Sequence, residues 1–381
     1  MVGRSFLAML AVARLRHDYC ASALRLARAQ SRRSPRAQYR PSPVRMMPEG
    51  PECHALADTL HKRLGGGRYA LEGVDVLSGR YATAPPANLA ALSAKLPLTL
   101  SGVRCRGKFI YFALAGDVSL WSTLGMSGGW TLGDHRHARL ALTFRGEGDD
   151  GPSRLSFYDA RNFGTLTVCF EPGRLDEKLA SLGLSWLEDG ESPDFDEKFA
   201  AIVDASVRRT PAKPLAVFLM DQKRTSGIGN YLLSEILWAT GTRWDAAIGD
   251  VSDARWAAIR DAALLLIRKS RDAQLGDDRG RPLRAMRDFR LAAYGRAADP
   301  DGHPVRRVTG PHGRTIHWVP ERQVGPDEAE AAAAAAARAD RDAAAPPSLA
   351  WTAARLRDAC RARGLGVAGK KAELLGRLEG G

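Results

Sequence analysis

A proline and an acid, Pro48 and Glu49, stand directly after Met47. At a free N-terminus the nitrogen of proline is a secondary amine, which can attack the C1′ carbon of a sugar and form an iminium. An α-amino group titrates at about 7.7 to 8.0 in short peptides, so a usable fraction is unprotonated at neutral pH. Glu49 could protonate the opened sugar ring or relay protons during an elimination. Pro48 is a candidate nucleophile only if Met47 and everything before it are removed, because an acylated nitrogen is inert.

The same segment also suits a structural role. Proline is favoured in the first turn of a helix, and acids there favour the positive end of the helix dipole. Taken alone, the segment from Met47 to Glu52 is more typical of a helix start than of a reactive amine. Other segments of the chain must decide between the two.

Later segments add a lysine and three large side chains as candidates for ligand contact. Lys108 directly follows Gly107 in the segment Arg106–Phe109, which would suit a tight turn. Met126 lies in one loop, and Arg161 and Phe163 lie in another. Taken singly, a lysine in a turn is usually only solvated, and methionine or phenylalanine usually belongs to a core. Their meaning depends on the order in which they occur.

The most specific segment runs over sixteen residues from Met220 to Glu235. Gly227 and Gly229 allow the backbone to approach a phosphate closely. Asn230 then opens a helix, whose N-terminal amides favour an anion. A bare Gly-x-Gly-Asn would be weak evidence, but the whole segment is far more specific.

Taken in order, these segments resemble the motifs of the Fpg/Nei family of DNA glycosylases, between residues 47 and 323. The resemblance is closer to the Nei branch, because the Fpg branch usually has leucine at the position of Gly50. It implies a base excision repair enzyme that flips an oxidised base out of double-stranded DNA and breaks its glycosidic bond with Pro48. The Schiff base would then be resolved by β- and δ-elimination (AP lyase activity). No metal or organic cofactor is implied, since the imine itself is the electron sink.

The resemblance also assigns roles to single residues. Pro48, Glu49 and Lys108 would be catalytic, and Lys108 would contact the phosphate beside the lesion. The residues expected to bind DNA in this part of the chain are Met126, Arg161, Phe163, Lys223, Asn230 and Arg314. The first three would fill the void left by the flipped nucleotide, whose unstacking costs on the order of a few kcal/mol. The other three would hold the DNA backbone, and Glu235 is expected to be structural.

The segment from Tyr294 to Trp318 resembles the C-terminal finger of the family. Four cysteines normally bind zinc in this finger, and none is present here. Its histidines have no thiolate partner, so the ligand count argues against a zinc site. The resemblance is therefore to the zincless-finger, Nei-like subgroup, in which Arg314 would still reach a phosphate from the hairpin tip.

The last helical segment, from Leu349 to Leu378, resembles a SAP domain, a helix pair that binds duplex DNA. Its basic residues include Lys370 and Lys371, which suit phosphate contacts. A plain helical hairpin that binds a protein partner is the alternative.

The elements that must position these residues indicate an α+β multi-domain protein. Alternating strand patterns occur at Leu71–Val76, Phe109–Phe112 and Leu140–Phe144, and helical spacing begins near Phe195. The predicted domains are a basic leader (1–46), a catalytic β-sandwich (47–183), a helix-two-turn-helix domain (194–290), a zincless β-hairpin finger (291–323), a solvated linker (324–348) and the SAP helix pair (349–381). The loop from Gly276 to Arg287 is expected to lie over the lesion pocket.

Composition agrees with a polyanionic partner. The 381 residues carry 56 Lys and Arg against 43 Asp and Glu, a formal charge of +13. The five cysteines have no short C-x-x-C spacing, which indicates a reducing compartment. No apolar run approaches the roughly 18 to 20 residues needed to cross a bilayer. We expect a monomer without membrane contact, in the nucleus.

The first 46 residues leave several possibilities open. They hold ten arginines against one acid, Asp18, which is typical of a mitochondrial or plastid transit peptide. A disordered tail or a true start at Met47 would explain them as well. If the leader is retained, Pro48 stays acylated and the chain would bind damaged DNA without catalysis. The active form is expected to begin at Pro48. Oxidised pyrimidines are the expected substrates, with an Fpg-type enzyme for oxidised purines as the alternative.

Overall fold

In the computed structural model of the protein, residues 48–146, 151, 153–275, 289–344, 346–347 and 353–380 are described. The predictions about the basic leader and about the loop from Gly276 to Arg287 fall outside these residues. Within the described part of the chain, no helix is both long enough and apolar enough to span a membrane.

The chain enters the fold through helix α1 (Gly50–Leu64). Pro51 stands in its first turn, where the missing N–H of proline leaves no bond unmade. The backbone N–H of Glu49 donates to the Glu52 carboxylate at 3.0 Å, which closes the helix start. One face of α1, with Ala57 and Leu60, is buried against strand β2 and a long helix of the second half of the fold. The helix expected at this place is therefore present, and it fixes the residues that precede it.

An antiparallel sheet makes up the first half of the fold. Its strands are β1 (Tyr69–Val76), β2 (Leu98–Arg106), β3 (Phe109–Leu114), β4 (Ser119–Thr123), β5 (Gly128–Leu132), β6 (Ala138–Gly146), β7 (Ser153–Asp159) and β8 (Thr165–Cys169). Two short helices, α2 (Arg80–Thr83) and α3 (Leu89–Ser93), lie between β1 and β2. The strand order is β5-β7-β6-β1-β2-β3-β4-β8. The three predicted strands fall within β1, β3 and β6.

The sheet folds so that its two ends face each other. Strands β1 and β2 pair through only two residue pairs, Ala70 with Thr99 and Leu71 with Leu98, so the sheet bends there. On the inner face, the rings of Trp130 on β5 and Phe112 on β3 lie 5.0 Å apart. The indole N–H of Trp130 also donates to the Ser122 hydroxyl on β4 at 3.0 Å. The apolar core of this half lies between the two layers.

Helices make up the second half of the fold. They are α4 (Arg174–Ala180), α5 (Phe195–Arg209), α6 (Leu215–Leu219), α7 (Asn230–Ala239) and α8 (Asp253–Gln274), with the short strands β9 (Leu184–Ser185) and β10 (Thr225–Ser226) between them. Trp186, Phe199, Phe218 and Trp256 form the aromatic centre of their core. Two turns lie between α6 and α7, as expected for a helix-two-turn-helix that includes the Met220–Glu235 segment. The predicted α+β class, with an antiparallel N-terminal sheet followed by helices, is confirmed.

A small hairpin follows the helices, formed by β11 (Arg306–Thr309) and β12 (Thr315–Trp318). It packs on α7, where the backbone N–H of His317 donates to the Ser234 hydroxyl at 3.4 Å. Its tip, from Gly310 to Arg314, is closed by a backbone hydrogen bond from Gly310 to Arg314 at 2.8 Å. The hairpin that carries Arg314 is thereby tied to α7.

The segment expected to be a solvated linker with some helix contains helix α9 (Glu328–Ala344), and one face of this helix packs on α8 instead of lying in solvent. Its Glu330 carboxylate accepts two hydrogen bonds from the Arg255 guanidinium of α8, at 2.8 and 2.7 Å. Ala334 is only 4 % exposed. Alanine side chains allow close approach of two helices, and the charge pairs then hold α9 against α8. Composition alone suggested a helix in solvent because it does not reveal the opposing charges.

The C-terminal unit contains helices α10 (Ala353–Ala362) and α11 (Lys371–Gly380). They pack through a small apolar core of Leu356, Cys360, Leu374 and Leu378. Gly364, with φ of 69°, ends α10, and the backbone N–H of Leu365 donates back to the Cys360 carbonyl at 2.8 Å. The stop predicted at this glycine is present.

Candidate active site

A cavity of about 600 Å³ lies where the sheet half of the fold meets the helical half. Its wall contains six of the residues that sequence analysis singled out, namely Pro48, Glu49, Lys108, Met126, Phe163 and Arg314. These residues are up to 266 positions apart in the chain, from Pro48 to Arg314. The fold therefore brings the predicted nucleophile, acid, lysine and large side chains to one place.

Glu49 connects Pro48 to the helical half of the fold. Its carboxylate is buried and accepts backbone hydrogen bonds from Gly229 at 2.8 Å, Tyr231 at 2.8 Å and Leu232 at 3.2 Å. These N–H groups form the start of α7, where the helix dipole favours a negative charge. The same contacts fix the residue that directly follows Pro48. Glu49 was expected at the site, but its cap on a helix 180 residues further along the chain has no local signal in the sequence.

The pKa of Glu49 is raised to about 7. Burial is the largest cause, and the charge of Glu52 adds to it. The positive charge of Lys108 and the backbone hydrogen bonds act in the opposite direction. A carboxyl group with this pKa can both release and take up a proton near neutral pH, as a general acid or base must.

Lys108 lies in the two-residue turn between β2 and β3, as predicted. Gly107 has φ of 58° there, a conformation that favours glycine. The ammonium end of Lys108 is enclosed, and burial lowers the pKa of the group while the charge of Glu49 raises it. A Cβ atom on Gly229 would lie 2.3 Å from the Glu49 carboxyl carbon and 2.6 Å from the Lys108 nitrogen. The acid and the lysine thus converge on Gly229, where no larger residue fits.

Three loops meet behind Pro48 at close range. The backbone N–H of Gly50 donates to the Gly227 carbonyl at 2.9 Å, and a Cβ atom on Gly50 would lie 2.9 Å from the Gly227 Cα. A Cβ atom on Gly107 would lie 2.6 Å from the Ser226 Cβ. Real Cβ contacts are never this short, so Gly50 and Gly107 let the sheet half rest on the loop before α7. Arg106 strengthens this contact through an ion pair with Asp189 at 2.9 Å.

The expected void-filling residues lie side by side at the rim of the cavity. A guanidinium nitrogen of Arg161 lies 3.8 Å from the Met126 sulfur. Phe163 is 55 % exposed, which is unusual for a phenylalanine. A Cβ atom on Gly125, next to Met126, would lie 3.0 Å from the Phe163 Cβ. Both loops therefore present large side chains to one spot, and Arg161 stands beside the cavity without lining it.

Asp159, for which no role was predicted, lies directly before the Arg161–Phe163 loop. The residue is 1 % exposed, and its carboxylate accepts hydrogen bonds from the Ser127 hydroxyl at 2.6 Å, the Arg161 N–H at 3.1 Å and the Gly164 N–H at 2.7 Å. Burial acts to raise the pKa of Asp159, but these hydrogen bonds together lower it. Asp159 thus holds the two loops together. An acid directly before a turn was the available signal, since such side chains often bond the following backbone.

Two residues expected to hold the DNA backbone are not on the cavity wall. The side-chain amide of Asn230 is buried and donates to the Thr315 carbonyl at 2.7 Å, next to Arg314. Asn230 therefore ties the start of α7 to the hairpin tip. Lys223 is exposed in the first turn after α6, where its backbone N–H donates to Asp221 at 3.1 Å. Their DNA contacts remain predictions.

Other predicted residues lie further away. The Glu235 carboxylate is buried and accepts backbone hydrogen bonds from Ala292, Ala293 and Tyr294, which agrees with the structural role expected for it. Lys370 and Lys371 are exposed on the C-terminal unit. Neither of these lysines lines the cavity.

The finger contains one group of potential metal ligands, Asp299, Asp301 and His303, whose ligand atoms lie within 4.8 Å of one another. The buried Asp299 carboxylate already accepts hydrogen bonds from the Trp238 indole at 3.1 Å and from the His303 backbone at 2.8 Å. Those bonds give the acid a structural role in closing the turn.

The chain matches two known domain families and several known proteins. Residues 47–166 match the formamidopyrimidine-DNA glycosylase N-terminal domain, and residues 350–380 match the SAP domain. The chain is 31 % identical over 277 residues to the formamidopyrimidine-DNA glycosylase of Acidothermus cellulolyticus, covering 68 % of this chain and 89 % of that protein. It is 32 % identical over 311 residues to the enzyme of the same name from Thermobifida fusca, covering 75 % of this chain and 100 % of that protein.

Solved structures give the same picture of the fold. The Lactococcus lactis formamidopyrimidine-DNA glycosylase bound to DNA with an abasic site superposes with a TM-score of 0.59 at 20 % identity, over 72 % of this chain and 99 % of that one. A complex of the Lactococcus lactis protein with DNA containing an oxidised pyrimidine gives a TM-score of 0.59 at 21 % identity, over 72 % of this chain and 99 % of that one.

Proposed function

Because the chain belongs to the Fpg/Nei family of DNA glycosylases, we propose that it excises oxidised bases from double-stranded DNA and cleaves the resulting abasic site. Pro48 is the nucleophile. The observation that carries the proposal is the convergence of Pro48, Glu49 and Lys108 on one cavity.

The reaction needs the free amine of Pro48. The lone pair of its nitrogen attacks C1′ of the damaged nucleotide, the bond from C1′ to the base breaks, and the base leaves with that electron pair and takes up a proton. The sugar ring opens as its oxygen accepts a proton, which leaves an iminium between Pro48 and C1′. Loss of a C2′ proton expels the 3′ phosphate, and a second elimination expels the 5′ phosphate.

Glu49 and Lys108 have separate parts in this scheme. Glu49, whose pKa is about 7, supplies the proton to the ring oxygen and can regain one during elimination. Lys108 holds the phosphate next to the reacting sugar and balances the charge of Glu49. The space that the flipped nucleotide leaves in the duplex is filled by Met126, Arg161 and Phe163. The side chains of Met126 and Phe163 are apolar, and the guanidinium group of Arg161 is planar, so they can replace the lost stacking.

Oxidised pyrimidines are the proposed substrates. Gly50 and a finger without cysteines support this choice, because both features are closer to the Nei branch by resemblance. Formamidopyrimidines and oxidised purines are the second candidate, which the names of the relatives favour. Excision rates from duplexes that differ only in carrying an oxidised pyrimidine or a formamidopyrimidine decide between the two.

The C-terminal unit supports a second contact with duplex DNA. Its match to the SAP domain and its exposed Lys370 and Lys371 suit non-specific phosphate contact, which concentrates the enzyme on DNA. We propose that the enzyme acts as a monomer in the nucleus, or in an organelle if the leader directs import.

Borohydride trapping on an abasic duplex tests the mechanism. The protein that begins at Pro48 should give a covalent adduct, which peptide mapping places on residue 48. The matched control is the same protein with Met47 retained, whose Pro48 nitrogen is acylated and should give none. Equal adducts from both forms would exclude Pro48 as the nucleophile. Tight binding without any adduct from either form would identify a DNA-binding protein that lacks catalysis.

A further inference from the structure

Lys178 is a basic residue of the cavity wall to which sequence analysis gave no role. It lies on α4, the seven-residue helix that leads from the sheet half to the helical half. Its side chain lines the same cavity as Pro48, Lys108 and Arg314. The wall on this side therefore carries three cationic residues, of which only two have been given a function above.

The environment of Lys178 leaves its charge available. Its ammonium nitrogen lies 5.4 Å from the centre of the Phe109 ring, a distance at which the ring face attracts a cation. The neighbouring Arg174 and Glu177 pair with each other at 2.7 Å. Among the residues that the structure describes, no carboxylate lies within 4 Å of the Lys178 ammonium or of the Arg314 guanidinium.

Phe109 presents a rigid aromatic surface to the Lys178 ammonium group. This residue directly follows Lys108, is buried, and packs against Tyr111 and Trp121 with ring centres 5.9 and 5.6 Å away. A rigid aromatic surface that holds an ammonium group in place reduces the entropy lost when that group binds a ligand. A lysine held in this way is suited to bind an anion at a fixed position, unlike a lysine whose side chain moves freely in solvent.

We infer that Lys178 binds a phosphate of the DNA strand that enters this cavity, and so positions the damaged nucleotide. The inference rests on the proposed function and adds a residue to it. A nucleotide in the cavity brings its flanking phosphates to the wall, and a lysine without a carboxylate partner is the group that phosphate recruits. Lys178 acts on binding and position and has no bond-making role.

Salt-dependent binding tests the inference. The protein that begins at Pro48 is titrated with a duplex containing a tetrahydrofuran abasic analogue, which cannot react, at several salt concentrations. Lys178→Met keeps the apolar stem and loses the charge. It should weaken binding about tenfold at low salt, and the slope of log affinity against log salt should become shallower by about one. Lys178→Arg should restore the slope.

The matched control is Lys95→Met. The Lys95 ammonium also lies over a phenylalanine ring, 4.8 Å from the centre of Phe170, but it does not line the cavity. Both variants lose the same kind of contact, so their unfolding midpoints should fall by similar amounts. Only Lys178→Met should change the salt slope.

The outcomes separate the inference from the function beneath it. If Lys178→Met and Lys95→Met keep the wild-type slope, Lys178 contacts no phosphate. If Lys178→Met abolishes borohydride trapping at an unchanged slope, its role is chemical and the inference is wrong. If the unaltered protein binds abasic and intact duplexes equally, the proposed function fails whatever Lys178 does.

Discussion

The Ser127 hydroxyl donates a hydrogen bond of 2.6 Å to the Asp159 carboxylate and so joins the two loops that carry Met126 and Phe163. The loops are more than thirty residues apart in the chain, and each is short. Without a common anchor, two exposed loops would not hold their large side chains next to each other, because ordering the loops costs conformational entropy. Asp159 supplies that anchor from a buried position. It is therefore the best place to test the proposed void-filling residues Met126, Arg161 and Phe163, here called the wedge, without replacing them.

Replacing Asp159 with asparagine should weaken the wedge. The Nδ2 group would face one of the N–H groups that now donate to the carboxylate, and a buried donor left without an acceptor costs about 1 to 3 kcal/mol. We expect a fall of about tenfold or more in kcat/KM on a duplex with a damaged base. Cleavage of a single-stranded abasic oligonucleotide should change little, because no stacked base must be displaced.

Asp75→Asn is the control for this comparison. Asp75 pairs with Arg154 at 3.3 Å on the exposed side of the same sheet. Exposed ion pairs contribute little to stability, so both substrates should be cleaved at wild-type rates. An equal loss on duplex and single strand in Asp159→Asn would assign Asp159 to the chemistry instead of the wedge.

Gly50→Ala tests the close contact behind Pro48. The added Cβ would lie 2.9 Å from the Gly227 Cα, so one of the two loops must move. Overpacking of this kind costs about 1 to 3 kcal/mol. We expect a lower unfolding midpoint and slower borohydride trapping, since the displaced backbone includes the neighbours of Pro48.

Gly73→Ala provides the comparison for Gly50→Ala. Its Cβ would meet Thr143 at 3.4 Å, an ordinary contact, so stability and trapping should be close to wild type. Wild-type trapping by Gly50→Ala would mean that the contact with Gly227 does not position the nucleophile.

The parts of the site that were predicted from the sequence are those with local signals. Lys108 and Asn230 were singled out because the segments Arg106–Phe109 and Met220–Glu235 resemble family motifs, in which glycines mark the turn and the helix start. The strands at Leu71–Val76 and Leu140–Phe144 follow from the spacing of apolar residues. Each of these signals lies within a few residues of the feature it indicates.

The parts that were not predicted depend on residues far apart in the chain. Glu49 caps a helix that begins at Asn230, and Asp159 gathers a hydroxyl from another loop. Lys178 has no motif, and its position on the cavity wall follows from the fold alone. The same holds for α9, whose alanines gave no sign of the partner that Glu330 finds in Arg255. Such contacts are set by tertiary packing, which a single sequence does not specify.

The docking of α9 should be sensitive to acid. Hydrogen bonds from Arg255 lower the pKa of Glu330 to about 2, against an ordinary value of 4.5. Because the pKa of Glu330 is lower in the folded protein than in the unfolded chain, the stability that Glu330 gives to the docking of α9 is complete above pH 4.5. This stability is lost as the pH falls toward 2. Because the pair is partly exposed, solvent screening reduces this contribution to about 1 kcal/mol.

Hydrogen exchange of α9 measures this effect. Its amides should be protected at pH 7, and Glu330→Gln should lower that protection to the level that the wild type shows in acid, after correction for intrinsic exchange rates. Glu328→Gln, on an exposed residue of the same turn, should leave protection unchanged. Equal protection in wild type and Glu330→Gln would show that the pair of Glu330 with Arg255 does not hold the helix in place.

The final prediction concerns the pH dependence of catalysis. Activity should be limited on the acid side by protonation of the Pro48 amine. If protonated Glu49 supplies the ring proton, activity should fall on the alkaline side as Glu49, whose pKa is about 7, loses that proton. Glu49→Gln should lose about 100-fold or more in kcat and show no such fall. Glu52 raises the pKa of Glu49 by its charge, so Glu52→Gln should keep activity but move the fall to lower pH. The profile of kcat against pH for the three proteins gives the answer. If kcat of Glu52→Gln falls at the same pH as that of the wild type, or if kcat of Glu49→Gln still falls, the titrating group is a residue other than Glu49.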